Sequence, residues 1–125
     1  MNILCVVEDD TDMQRLIELV LAGDPRLGIA GCAATAAEAI RLAERLQPGL
    51  IVLDHFIHGD IMGLHAAPLL KQASPGSIVL LFTSHDLRLE ADREPAVDEY
   101  LSKSHLGELL PTVQRLLGLE PAALA

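Results

Sequence analysis

Short apolar runs and helix-period stripes alternate along the whole chain. Asn2 to Val7 is a continuous apolar run with Val and Ile, as expected of a strand buried on both faces. Met13, Leu16, Ile17, Val20 and Leu21 then fall at i, i+3, i+4, i+7 and i+8, one face of a helix. Thr11 or Asp12 can cap its start, and Gly23 with Pro25 stops it. Leu27 to Ala34 predicts a second, weaker strand. Thr35 caps an Ala-rich helix with Ala36, Ala39, Ile40, Ala43 and Leu46 on one face, closed by Pro48 and Gly49. Leu50 to Leu53 predicts the third strand and Gly63 to Gln72 the third helix, with Pro68 either in its first turns or kinking it. Ser77 to Phe82 is the fourth strand. A short helix comes next, around Leu87 to Arg93, ended by Pro95, and Tyr100 to Ser102 is a brief fifth strand. The last helix carries the cleanest stripe: Leu106, Leu109, Leu110, Val113, Leu116 and Leu117, before Gly118 and Pro121.

Strands alternating with helices predict an α/β fold, a parallel sheet covered on both faces. Right-handed crossovers leave few topologies, and a doubly wound sheet of order 2-1-3-4-5 is the expected one. Such sheets bind ligands beyond the carboxyl ends of their strands. The residues at the end of each apolar run are therefore the informative ones. Strand one ends in Glu8, Asp9 and Asp10, strand three in Asp54, strand four in Thr83 and Ser84, and strand five in Lys103. Strand two ends in Ala33, Ala34 and Thr35, without charge. In the order 2-1-3-4-5 the four polar ends are neighbours and the uncharged one is the edge.

Gathered carboxylates repel, and some would bind protons unless a cation is present. A small divalent ion with oxygen ligands relieves this, and Mg²⁺ is held by a few carboxylates while keeping several waters. A lysine opposite can grip an anion, and a threonine hydroxyl between them can donate to an added phosphoryl oxygen. This set suits phosphoryl transfer, with Asp54 as nucleophile. In "LIVLDHFIHGDIMG" alone, Asp54 could equally be a metal ligand with His55 and His58, or only the polar end of a strand. The spacing of His55, His58 and His65 matches no helical zinc pair, so they read as surface loop residues that at most tune access or pH response, with His65 near the start of the following helix.

Composition narrows the classes. The chain has 125 residues, enough for one domain and its core but not for two. Its formal net charge is −9 with nine Lys plus Arg, which argues against direct nucleic-acid contact. With no Trp, one Tyr and two Phe, it offers no platform for stacking bases or sugars. No run approaches the roughly 18 apolar residues of a membrane span. The first apolar segment lacks the basic flank of a signal peptide, so a cytoplasmic location is expected. Cys5 and Cys32 lie in apolar runs without a CxxC neighbourhood and read as buried reduced thiols.

Taken together, "ILCVVEDD", "IVLD", "LLFTS" and "EYLSKS" resemble the receiver domain of two-component response regulators, which has a flavodoxin-like fold. The resemblance covers Asn2 to about Leu119, giving a receiver domain over 1–119 and a tail over 120–125. It implies that Glu8, Asp9 and Asp54 are metal-binding acids, with the backbone carbonyl of Phe56 completing the site for Mg²⁺ (or Mn²⁺). It implies that Asp54 accepts the phosphoryl group, that Thr83 and Lys103 grip it, and that the rotamer of Tyr100 follows the switch. The implied partners are a histidine kinase or phosphotransfer protein and a downstream output domain or protein. The helix 4, strand 5, helix 5 face would be the output surface, with room for a homodimer. The only chemistry implied is self-directed: aspartyl phosphorylation and slow hydrolysis, not an enzyme in the ordinary sense.

Three departures from that pattern stand out. Ser104 follows the lysine where a proline is usual, the loop from Asp54 to Gly63 is one residue longer than usual with His58 in place of a proline, and Thr83 to Lys103 is about two residues shorter than usual. The last predicts a short or irregular fourth helix.

Blander roles compete for each residue. The acids after strand one could cap the first helix, with Asp10 a spectator, Asp60 could be loop solvation, and Tyr100 could be a half-buried strand residue. Two other functions compete as well. One is a protein-interaction module that keeps the fold but works without phosphorylation. The other is a haloacid-dehalogenase-like phosphohydrolase, which needs a second aspartate where Phe56 stands.

Overall fold

The computed structural model describes residues 1–6, 11–55, 57 and 61–120. Its elements come in strict alternation: β1 (Asn2–Val6), α1 (Thr11–Leu21), β2 (Gly28–Ala33), α2 (Ala36–Leu46), β3 (Leu50–Leu53), α3 (Gly63–Ala73), β4 (Ile78–Thr83), α4 (Arg88–Asp92), β5 (Glu99–Ser102), a 3₁₀ turn (Lys103–Glu108) and α5 (Leu109–Leu116). The five strands form one parallel sheet of order β2-β1-β3-β4-β5, as the alternation predicts.

The central strand shows why the runs are continuously apolar. Leu50, Ile51, Val52 and Leu53 are all fully buried. Because side chains alternate faces, Leu50 and Val52 join Ile3, Ile17, Leu21, Leu80, Phe82, Leu109 and Val113 under α1 and α5. Ile51 and Leu53 join Ala39, Ala43, Ala66, Ala67, Leu70, Val79 and Leu81 under α2 and α3. Burying each large side chain contributes about 1.5–3 kcal/mol. The small residues of α2 and α3 bring those two helices against each other and the sheet.

Local signals explain most boundaries. The Thr35 hydroxyl accepts the Glu38 N–H at 3.2 Å, the expected cap of α2. Gln47 ends that helix in the left-handed region at φ 45°, and its side-chain amide donates to the carbonyls of Glu44 and Ala73. α3 runs through Pro68 without ending.

The last helix differs from its stripe. It begins at Leu109, not Leu106, and the preceding residues form the 3₁₀ turn, with His105 outside helical geometry at φ −110° and ψ 46°. Starting at Leu109 puts Pro111 in the first turn, where a missing N–H breaks no helical bond. A start at Leu106 would bury that ring in the helix interior, after a first turn weakened by Gly107. The stripe on α1 is also narrower than it reads: Ile17 and Leu21 are buried, but Leu16 is 41% exposed. Cys32 is half-buried rather than buried, because β2 is the sheet edge. α4 is short, at five residues, as the Thr83 to Lys103 spacing predicts.

A buried polar knot forms around Asp24, with no local pattern in the sequence to mark it. Asp24, with no exposed surface, accepts from the Arg26 backbone N–H at 2.9 Å, from the Arg26 guanidinium at 2.6 Å, and from the Gln114 amide at 3.0 Å. Arg26 also donates to the Glu120 carbonyl at 2.6 Å. The corner between α1 and β2 is thereby tied to α5. Among the described residues no helix is long and apolar enough to cross a membrane.

Candidate functional site

Three of the predicted site residues meet at the carboxyl edge of the sheet. Asp54 is the first residue after β3, and Thr83 is the last of β4, where it pairs with Ser102 of β5. Lys103 follows Ser102 directly. Parallel pairing of β3 with β4 and of β4 with β5 therefore sets their polar side chains on one rim. Asp54 is 4% exposed, and its Oδ2 accepts from Lys103 Nζ at 2.6 Å. Such a short charge-assisted bond is roughly twice as strong as one between neutral groups.

Lys103 owes its position to the turn that carries it. Ser102 caps the 3₁₀ segment, accepting the Ser104 N–H at 3.2 Å, and the two hydroxyls lie 2.8 Å apart. Ser104 thus takes part in the turn in place of the usual proline.

Thr83 is fully buried, and its hydroxyl accepts the His85 N–H at 3.4 Å. The His85 carbonyl in turn accepts the Tyr100 hydroxyl at 2.8 Å. Tyr100 is half-buried on β5, and the Arg88 guanidinium lies 5.7 Å from its ring centre. One residue therefore connects Thr83 to Tyr100, and Arg88 connects Tyr100 to α4. Sequence reasoning missed His85, because its backbone and not its side chain makes the link.

His55 differs from expectation. It is half-buried, not a surface loop residue, and its Nδ1 accepts the Leu64 N–H at 3.2 Å. Burial pushes its imidazole below the usual histidine value; nearby His65 adds to this, Asp54 opposes it, and His85 adds again. His65 lies exposed near the start of α3, as expected.

Glu8, Asp9, Asp10, Phe56, His58 and Asp60 lie outside the described residues, so their expected roles rest on the sequence. Val6, the last described residue of β1, pairs with Leu53, the residue before Asp54. Among the described residues no group of three or more His, Cys, Asp or Glu could hold a metal ion. Of the expected metal site, the structure thus describes Asp54 alone.

Known proteins agree with this geometry. The family model described as the response regulator receiver domain matches residues 4–114. Response regulator protein VraR of Staphylococcus aureus is 31% identical over 107 residues, which cover 83% of this chain and 51% of VraR. The protein-glutamate methylesterase/protein-glutamine glutaminase of Thermotoga maritima is 23% identical over 95% of this chain and 38% of its own. This chain therefore spans about half or less of these curated relatives. Among solved structures, a LuxR-family two-component response regulator from Aurantimonas superposes with a TM-score of 0.84 and 25% identity, covering 94% of this chain and 84% of that one. The response regulator domain of Thermotoga maritima CheB superposes with a TM-score of 0.81 at 20% identity, covering 97% and 98%. With the fold, the strand-end set and the family match in agreement, the chain belongs to the response regulator receiver domain family.

Proposed function

We propose that this chain is a phosphoacceptor receiver domain in which Asp54 takes a phosphoryl group from the phosphohistidine of a histidine kinase or phosphotransfer protein. The observation that carries the reading is the 2.6 Å bond between Lys103 Nζ and buried Asp54 Oδ2 at the rim of the sheet. A carboxylate oxygen of Asp54 attacks phosphorus; the O–P bond forms as the P–N bond breaks, and the electron pair returns to the donor imidazole. Lys103 neutralises the acceptor before transfer and a phosphoryl oxygen after it. Thr83, which accepts from His85 through its oxygen, keeps its own proton to donate to the phosphoryl group.

A hard cation with oxygen ligands suits the donor set of Glu8, Asp9, Asp54 and the Phe56 carbonyl. When bound, Mg²⁺ (or Mn²⁺) would supply charge neutralisation at the phosphoryl oxygens. Residues 1–119 form the receiver on this reading, with 120–125 as a tail. Its chemistry is confined to its own aspartate.

Transfer adds charge beside Thr83, and any inward movement of that residue pulls on His85 and so on the Tyr100 hydroxyl. The readout is the groove between α4, β5 and α5, lined by Arg88, Asp92, Tyr100, Leu101, Thr112 and Arg115. An output domain, a separate protein or a second copy of the chain would bind there.

Beryllium fluoride with Mg²⁺, a stand-in for the phosphoryl group, should shift the backbone amides of His85 and Tyr100. The shift should vanish in Asp54→Ala. An unshifted parent, or an equal shift in the variant, overturns the reading.

The five-residue α4 favours one alternative, an interaction module indifferent to phosphorylation. In that case partner binding would be the same in Asp54→Asn, with or without a phosphodonor.

A further inference from the structure

α3 starts without a cap of its own. Met62 holds the N-cap position and makes no side-chain bond, since a thioether is a poor acceptor. The first two N–H groups of the helix nevertheless have partners, and both belong to His55. The Gly63 N–H donates to the His55 carbonyl at 2.7 Å, and the Leu64 N–H donates to His55 Nδ1 at 3.2 Å.

Gly63 shows how tight this junction is. A Cβ there would collide with the Asp54 carbonyl oxygen and lie 2.8 Å from both the Asp54 carbonyl carbon and the His55 Cα. The helix start therefore sits directly on the backbone that carries the Asp54 side chain. His55 grips that helix end with both its backbone and its ring.

We propose that His55 is a positioning residue for Asp54: its Nδ1 and carbonyl clamp the first turn of α3 onto the Asp54 peptide and so fix the direction of the acceptor carboxylate toward Lys103. This rests on the reading of Asp54 as acceptor and names what holds that acceptor in place. Without the ring acceptor, the Leu64 N–H must turn to solvent and the helix end separates from the Asp54 backbone. The 2.6 Å contact with Lys103 leaves little tolerance for such a shift. A displacement of about 1 Å at a reacting group costs on the order of 100-fold in rate.

Three variants separate the clamp from bulk packing. His55→Asn keeps an acceptor near the Nδ1 position, His55→Phe keeps the ring without it, and His55→Ala keeps neither. With acetyl phosphate and saturating Mg²⁺, the maximal phosphorylation rate of the Phe and Ala variants should fall about 10- to 100-fold. The donor concentration at half-maximal rate should stay near that of the parent, and Asn should recover most of the rate. The Asp54 carboxyl ¹³C resonance and the hydrogen-exchange protection of the Leu64 amide should change in Phe and Ala and be kept in Asn. Equal rates in all four proteins, or equal losses in Asn and Phe, overturn the proposal. If the parent takes up no phosphoryl group, the acceptor reading fails on its own. The carboxyl resonance and the Leu64 amide still decide the clamp: unchanged signals in Phe and Ala refute it, and an Asn-restored change upholds it.

Discussion

The Tyr100 hydroxyl donates to the His85 carbonyl at 2.8 Å, across the gap between β5 and the loop after β4. Since the N–H of the same residue 85 is held by the Thr83 hydroxyl at 3.4 Å, Tyr100 can sense Thr83 without touching it. Tyr100→Phe removes this bond and keeps the ring under Arg88. A single neutral hydrogen bond is worth about 1 kcal/mol net, so the fold should hold. Acetyl phosphate should still modify the protein at the parent rate. The amide shifts that modification induces at Arg88 and beyond should shrink in an NMR comparison. Full propagation to α4 would show that Tyr100 is an ordinary strand residue.

The Asp54–Lys103 pair should behave as a largely buried ion pair. Lys103→Met takes the ammonium away from a carboxylate that is almost wholly removed from water, and breaking such a pair by removing one partner costs about 3–5 kcal/mol. Adding Asp54→Asn should return much of that stability, because the buried negative charge is then gone as well. Urea unfolding of the two single variants and the double variant measures the coupling. Simple additivity would mean that the pair contributes no coupling of its own.

Ser102→Ala tests the turn that presents the lysine. Losing the bond from the Ser104 N–H to the Ser102 hydroxyl should cost about 1 kcal/mol, typical of a lost cap. The phosphorylation rate should drop more than stability does, since Lys103 lies between the two serines. Thermal melts and acetyl phosphate kinetics on the same samples give both numbers.

Asp24 predicts acid sensitivity far from the rim. Hydrogen bonds from the Arg26 side chain, the Gln114 amide and the Arg26 backbone hold its carboxyl well below the ordinary value of 3.8. A carboxyl depressed in the folded state contributes stability that is fully present above its unfolded value. That contribution is lost as pH falls through the folded value. Below about pH 4 the parent should therefore lose stability more steeply than Asp24→Asn, while at neutral pH the variant should be the weaker of the two. Urea midpoints across that range decide it, and parallel pH curves would refute the assignment.

Much of this was written locally in the chain. Four-residue apolar runs such as Leu50 to Leu53 mark strands buried on both faces, and a polar residue straight after such a run must sit at the rim. Asp54, Thr83 and Lys103 were legible for that reason. The exposure of Leu16 and the late start of α5 were not, because periodicity counts apolar positions without knowing how wide a face the sheet covers. Pro111 carried the local clue to that start. Asp24 lies 90 residues from Gln114, a separation at which no local pattern operates. His55 read as a loop residue because its partner, the Leu64 N–H, is a backbone group that every residue but proline possesses. The one available hint was Met62, a residue that cannot cap the helix it precedes.

Everything proposed for the rim depends on whether Asp54 carries the phosphoryl group. Incubation with acetyl phosphate and Mg²⁺, followed by intact-mass measurement and borohydride trapping of the acyl phosphate with peptide mapping, tests it most directly. One phosphoryl group per chain is predicted, mapped to Asp54, absent without the metal and absent in Asp54→Asn. An unmodified parent, or a phosphoryl group that maps elsewhere or persists in Asp54→Asn, would rule out Asp54 as the acceptor.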